Sequence, residues 1–291
     1  MLRLLGIPGK ILPRVFPSSG HFGVTAKVGP LPAGIPITGI AGDQQAALFG
    51  QGCVRPGQAK NTYGTGCFLL MQTGRKIIRS THGLITTVAC DRAGKPAYAL
   101  EGSVFIAGAA IQWLRDGLKI LKSASESESL ARSVKDAGGV TLVPAFVGLG
   151  APYWRPEARG LICGLTRGTT RAHIARAALE SIAHQSRELV RAMEQDSRIR
   201  LRTLQVDGGA VKNNLLLQIQ ADLCALPVIR PKNIETTALG AAQLAGLGCG
   251  FWSAKDLAGM RRVDRVFRPA WDPEKREAAI AGWEQAVRRV L

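Results

Sequence analysis

Leu204-Gln205-Val206-Asp207-Gly208-Gly209-Ala210-Val211-Lys212-Asn213-Asn214-Leu215-Leu216-Leu217 decides the fold class of this chain. Leu204 to Val206 reads as a short strand, Asp207-Gly208-Gly209-Ala210 as a turn, and Asn213 to Cys224 as a helix with two amide side chains in its first turn. The alternation then repeats: Pro227 to Arg230 predicts a strand, Thr237 to Leu247 a helix, and about Glu274 to Val290 a terminal helix. Such an order needs crossover connections, so this part of the chain calls for a mostly parallel sheet in an α/β fold.

Upstream, Ile35 to Ala41 reads as a strand that ends at Gly42, and Asp43 stands where an N-cap would start a helix over Gln44 to Phe49. Lys60 to Gln72, Gly83 to Cys90 and Pro96 to Glu101 are rich in β-formers and separated by glycine turns, which predicts antiparallel strands. A helix is expected over Ser103 to Leu121, since Ile106, Ala110, Trp113, Leu114 and Leu118 share a face, and a shorter one over Ser127 to Lys135. A strand at Val140 to Val143 leads into Pro144 to Glu157, whose prolines, glycines and aromatics lack periodicity and indicate an ordered loop. Ala172 to about Glu194 predicts one long helix.

An apolar content of 46% in 291 residues supports a sizeable core, in one large domain or two smaller ones. No run of 18 apolar residues occurs, so no membrane partner is expected. The net charge of +17 is that of many nucleic-acid binders, but the basic residues are scattered and not interleaved with aromatics, so no nucleic-acid partner is expected either. Six cysteines lie far apart with no Cys-x-x-Cys pair, which points to buried free thiols in a reducing cytoplasm rather than to zinc or redox chemistry. The first 42 residues carry Arg3, Lys10, Arg14 and Lys27 without an acid, as a transit peptide would. Pro8, Pro13 and Pro17 and the scarcity of Ser and Thr favour a structural connection instead.

Three glycine-rich turns and one carboxylate are the candidates for chemistry. Asp207-Gly208-Gly209 is either a structural turn or a place where backbone approaches a ligand at a helix N-terminus. Asn61-Thr62-Tyr63-Gly64-Thr65-Gly66-Cys67 puts a hydroxyl between two glycines at a hairpin tip, a nest for phosphate oxygens or a turn made for geometry alone. It is neither a P-loop nor a dinucleotide fingerprint, so a bound nucleotide would use another cradle. Asp43 is a helix cap or, alternatively, a general base for phosphoryl transfer, a role worth roughly 10²- to 10⁴-fold in rate.

Gly160-Leu161-Ile162-Cys163-Gly164-Leu165, seven residues, His173-Ile174, two residues, then Ala177-Ala178-Leu179-Glu180 resembles the C-terminal signature of the FGGY family of carbohydrate kinases, in the actin-like ATPase superfamily. Gly39 to Gly50, Asn61 to Phe68 and Gly148 to Trp154 resemble the branch of that family that phosphorylates glycerol more than those acting on xylulose or gluconate. The resemblance runs from Met1 to Leu291.

That resemblance implies an actin-like ATPase (ribonuclease H-like) α/β domain, a mixed sheet flanked by helices, over residues 51–291, with residues 1–50 as the tail of a preceding domain. It implies ATP and Mg²⁺, the metal held through the phosphates, and transfer of the γ-phosphoryl group to glycerol in the cytoplasm. Asp43 would be the general base, Gln44 a glycerol contact, and Phe68 would pack on the polyol carbons. Thr65 and Gly108 would meet the phosphates, Gln112 would help hold the nucleotide, and Gly209 and Asn213 would lie at the adenosine end.

The family's opening Asp-x-Gly-Thr-Thr phosphate loop does not occur in these residues, nor do the first-domain groups that grip glycerol. The expectation is therefore a chain inactive or nearly so alone, either partnered by a separately encoded first domain or a truncated gene product, and a homo-oligomer when complete; the alternatives are another FGGY sugar or polyol kinase and a non-catalytic nucleotide-binding fragment. Arg155 stands where the family usually has Asp, and Val28-Gly29-Pro30-Leu31-Pro32 lacks the Arg of a regulatory sugar-bisphosphate loop, so that regulation is not expected.

Overall fold

The computed structural model describes residues 1–291. In chain order, β1 (Ser19–Val24) and β2 (Pro36–Gly39) form an antiparallel pair ahead of α1 (Asp43–Gly50). β3 (Ala59–Tyr63) and β4 (Cys67–Gly74) make a hairpin, followed by β5 (Ile85–Cys90), β6 (Pro96–Val104), α2 (Gly108–Asp116) and α3 (Glu126–Arg132). β7 (Thr141–Val143) pairs with β8 (Leu161–Cys163), and α4 (Arg171–Ser197) follows. The chain closes with β9 (Leu204–Asp207), α5 (Asn214–Cys224), β10 (Val228–Pro231), α6 (Thr236–Gly248), α7 (Ala254–Met260), β11 (Val263–Phe267) and α8 (Pro273–Arg288).

Seven strands form the main sheet in the order β11-β10-β9-β3-β4-β6-β5. β10, β9 and β3 run parallel, as the β9-to-α6 alternation requires, and the remaining pairs are antiparallel. The sheet is therefore mixed. Side chains alternate across it with the period of two that strands impose. On β4, Cys67, Leu69 and Met71 join the largest core cluster with α4 and α5, while Leu70 faces the other way onto Leu48 of α1. On β3 the same alternation sends Ala59 and Tyr63 to the α4 side and Lys60 and Thr62 to the α1 side.

Several sequence expectations shift. The N-cap of α1 is Gly42, and Asp43 is the first helical residue. Its carboxylate accepts from the next residue's N–H, so it does not cap, although an acid in the first turn still suits the helix dipole. The helix expected from Ser103 starts only at Gly108, because Ser103 and Val104 pair with Phe68 and Cys67 in the sheet. It stops at Asp116, before Gly117 and the left-handed Lys119. Short α7 and the edge strand β11, exposed at every position but Phe267, have too little apolar periodicity to be read from sequence.

α1 is held by α6. Gly50 and Gly240 let the two helices meet backbone to backbone, since a Cβ on Gly240 would overlap the Ala46 carbonyl. β1 and β2 sit on the same helix: the Ser19 hydroxyl donates to the Leu244 carbonyl at 3.0 Å and the Thr38 hydroxyl to that of Ala245 at 2.7 Å. No helix is long and apolar enough to cross a membrane. All six cysteines are unpaired, and burial pushes the Cys53, Cys67, Cys90 and Cys224 thiols up to about 12, which leaves them inert.

Candidate active site

The tip of the β3–β4 hairpin is tied to the start of α2. Ala107 and Ala109 donate backbone N–H groups to the Thr65 carbonyl at 2.8 and 3.1 Å, and Gly108 donates to that of Gly64 at 3.0 Å. Gly108 must be glycine for this approach, because a Cβ there would meet the Gly64 carbonyl oxygen at 2.5 Å. Across from the tip, Gly208 takes φ +87° against the Tyr63 backbone and turns β9 into a short 3₁₀ segment, Gly209–Lys212. Asn213 caps α5: its Oδ1 accepts from the Leu216 N–H at 2.9 Å. Glu128 of α3 accepts from the Asn214 N–H at 3.0 Å and closes the third side.

These elements enclose a cavity of about 480 Å³. Thr65 at the hairpin tip, Gly108 and Gln112 on α2, and Gly209 and Asn213 in the turn before α5, three separate segments of the sequence, all line it. No atom lies within 4 Å of where a Cβ on Gly209 would stand, so the backbone there borders open space. Ser127, Glu128 and Lys212 also line the cavity and were not legible as site residues, since they lie in ordinary helical and turn sequence.

Asp43, Gln44 and Phe68 lie outside that cavity, on the α1 side of the same hairpin. The Asp43 carboxylate is exposed; its Oδ1 accepts from the Gln44 backbone N–H at 2.8 Å and its Oδ2 from Gln44 Nε2 at 3.1 Å. Gln44 Oε1 in turn accepts from the Lys60 ammonium at 2.5 Å. Lys60 is fully buried and also donates to Thr62 Oγ1 at 2.7 Å and to the Phe68 carbonyl at 3.2 Å. Phe68, opposite Thr62 on the hairpin, is 36% exposed.

Burial lowers the Lys60 pKa to about 8, against the opposing pull of Asp207, Glu101, Cys53 and Asp43. Burial also raises Glu101, which Lys60 partly offsets. A lysine flanked by Ala59 and Asn61 in a strand reads as an ordinary exposed residue, so only the sheet's placement under α1 reveals it. Asp207, by contrast, ties three elements together: its buried carboxylate accepts from Gln51 Nε2 at 2.9 Å and from the Thr236 hydroxyl at 2.5 Å.

The sequence model of the FGGY family of carbohydrate kinases, C-terminal domain, matches residues 59–249. The chain belongs to the FGGY family. Within that family it is 59% identical over 290 residues to a glycerol kinase of Carboxydothermus hydrogenoformans, covering 99% of this chain and 58% of that one. It is also 59% identical over 292 residues to glycerol kinase 2 of Thermotoga maritima, covering 100% of this chain and 59% of the relative. The crystal structure of Plasmodium falciparum glycerol kinase with ADP superposes with a TM-score of 0.92 at 41% identity, over 100% of this chain and 58% of that one. A xylulose kinase of Lactobacillus acidophilus, at 19% identity and a TM-score of 0.82 over 99% of this chain and 59% of that one, shares the fold. The chain thus spans somewhat under three fifths of the length of the FGGY relatives it matches.

Proposed function

We propose that this chain serves the transfer of the ATP γ-phosphoryl group to glycerol, giving sn-glycerol 3-phosphate and ADP. The observation that carries the reading is the convergence of Thr65, Gly108, Gln112, Gly209 and Asn213 on one cavity whose hairpin wall bears Phe68 and adjoins Asp43. The identity to glycerol kinases is far higher than to xylulose kinases, which favours glycerol over a pentulose.

In this reading the adenosine end of ATP rests between Gly209 and Asn213, and the phosphates run toward Thr65 and Gly108. Asp43 takes the proton of the attacking hydroxyl as the oxygen forms its bond to the γ-phosphorus; the bond to the β,γ-bridging oxygen breaks in line and ADP leaves. One Nε2 proton of Gln44 is engaged by Asp43 and the other is free for a glycerol oxygen. The Phe68 ring covers the carbon skeleton. Mg²⁺ would arrive on the phosphates, where it would neutralise charge.

Residues 1–50 would belong with a first domain and residues 51–291 with the nucleotide-binding domain, the cleft between the two being the site. Met1, Leu4, Leu5, Ile11 and Val15 are exposed apolar side chains that such a domain would cover. Residues 1–291 by themselves would turn over slowly or not at all, because half of the phosphate clamp and most polyol contacts would come from elsewhere.

The test is glycerol-dependent ADP release with Mg·ATP, by the chain alone, by the chain with a co-expressed first domain of a relative, and by Asp43→Asn versions of both. Activity on complementation that vanishes in Asp43→Asn supports the reading. Turnover on a pentulose but not on glycerol assigns another branch of the family, and a folded, associated pair without turnover rejects the kinase activity.

A further inference from the structure

Lys60 is a cation enclosed by protein on every side, and ordinary packing would place an apolar side chain there. Its ammonium has three protons and three acceptors: Gln44 Oε1, Thr62 Oγ1 and the Phe68 carbonyl. Only the charged form donates to all three, because a neutral amine has two protons and must receive one from the Thr62 hydroxyl. The contact with Gln44 also decides which way that amide points. With Oε1 held by the ammonium, Nε2 is turned onto Asp43 Oδ2.

We propose that Lys60 is a positioning residue for the phosphoryl-transfer base: through the Gln44 amide its ammonium fixes the rotamer of the Asp43 carboxylate and the orientation of the polyol-binding N–H. The proposal rests on the reading of Asp43 as the base. The linked Lys60, Gln44 and Asp43 side chains form one rail from the sheet interior to the reacting hydroxyl, and a second branch reaches Phe68 through its carbonyl. Base and apolar wall are thereby set by the same buried charge.

The charged groups facing Lys60 are Asp207 at the end of β9, Glu101 on β6, Asp43 on α1, and the Cys53 thiol. All are potential anions and favour the ammonium, while burial disfavours it and brings its pKa down to about 8. Loss of the proton above that pH replaces the charge-assisted bond to Gln44 Oε1 by a weaker one from the neutral amine, so the rail loosens on the alkaline side.

Two readouts test this. In the chain alone, the Gln44 side-chain amide resonance, identified by its loss in Gln44→Leu, is followed against pH in wild type and in Lys60→Met. A shift with a midpoint near 8 that Lys60→Met removes is expected; an amide resonance indifferent to Lys60→Met overturns the proposal.

In the chain complemented by a first domain, Lys60→Met is expected to lower kcat on the order of 10- to 100-fold with the KM for ATP unchanged. Lys60→Gln, which keeps N–H donors, should recover part of the loss, and the alkaline limb of kcat should disappear in both variants. Full kcat in Lys60→Met, in an enzyme that Asp43→Asn inactivates, sinks the Lys60 proposal alone. Full activity in Asp43→Asn instead sinks the base reading, and the amide experiment then decides by itself whether Lys60 holds Gln44.

Discussion

Gly240 of α6 stands against the carbonyl of Ala46 and the N–H of Gly50 in α1, closer than any side chain would allow. This glycine contact sets where α1 lies on the sheet, and α1 carries Asp43 at its first position. Gly240→Val is therefore expected to push the helices apart, with a loss of about 1–3 kcal/mol typical of overpacking. Chemical denaturation measures it, and an unchanged midpoint would show that α1 is held by other contacts.

Gly209→Val separates ligand space from packing. A Cβ at Gly209 meets nothing within 4 Å, so the substitution should leave the melting temperature within a degree or two of wild type. It should nevertheless weaken Mg·ATP binding at least tenfold in calorimetry, because the added methyls enter the cavity shared by Thr65 and Asn213. Equal affinity would move the nucleotide elsewhere.

Asn213→Ala acts on both quantities at once. It removes the cap of α5, at a cost of about 0.5–2 kcal/mol, and also a cavity-lining amide. Asn213→Ser restores a cap oxygen without the amide, so it should regain most of the stability and little of the ATP affinity. Parallel recovery of both would mean that Asn213 matters only through the helix.

Glu188 lies under α8, where its Oε1 accepts from Trp283 Nε1 at 2.8 Å and from the Tyr153 hydroxyl at 2.5 Å. Burial raises its pKa to about 7 despite these bonds, above the value near 4.5 of an unfolded chain. The folded state binds the proton more tightly, so this contribution to stability is full below about 4.5 and is lost as pH rises to about 7. Glu188→Gln should abolish that decline in urea midpoints measured across the same range. His184, stacked on Trp283 with ring centroids 5.0 Å apart, works in the opposite sense. Burial and then Arg187 hold its pKa down to about 3, so stability is lost as pH falls from 6.5 toward 3, and His184→Asn should flatten that loss.

Lys60 has its own signature in stability. Its folded-state pKa near 8 lies below the ordinary 10.5, so the unfolded chain binds the proton more tightly between these values. Stability should therefore rise with pH across that window, by up to a few kcal/mol, and the rise should be missing in Lys60→Met. A wild-type curve flat from pH 8 to 10 would mean that the ammonium is better solvated than its enclosure implies.

Much of the sheet was legible because β9, α5, β10 and α6 have short apolar runs separated by Gly, Pro and amides, signals that depend on neighbours in sequence. The hairpin tip, the Asp207-Gly208-Gly209 turn and Asp43 were visible for the same reason, as local exceptions to periodicity. Elements whose stability comes from partners were not: β8, three residues long, exists by pairing with β7, and β11 by pairing with β10.

By itself, then, the sequence determined the α/β class, the order of the turns, and the family signature that links Gly160 to Glu180. Only the tertiary structure brought Thr65, Gly108, Gln112, Gly209 and Asn213 to one cavity and put Lys60 under Gln44 and Asp43. The physical reason is that turns and periodic faces follow from backbone preferences within a few residues. A buried cation and a shared cavity arise from which faces of the sheet meet which helices, a choice made by long-range packing.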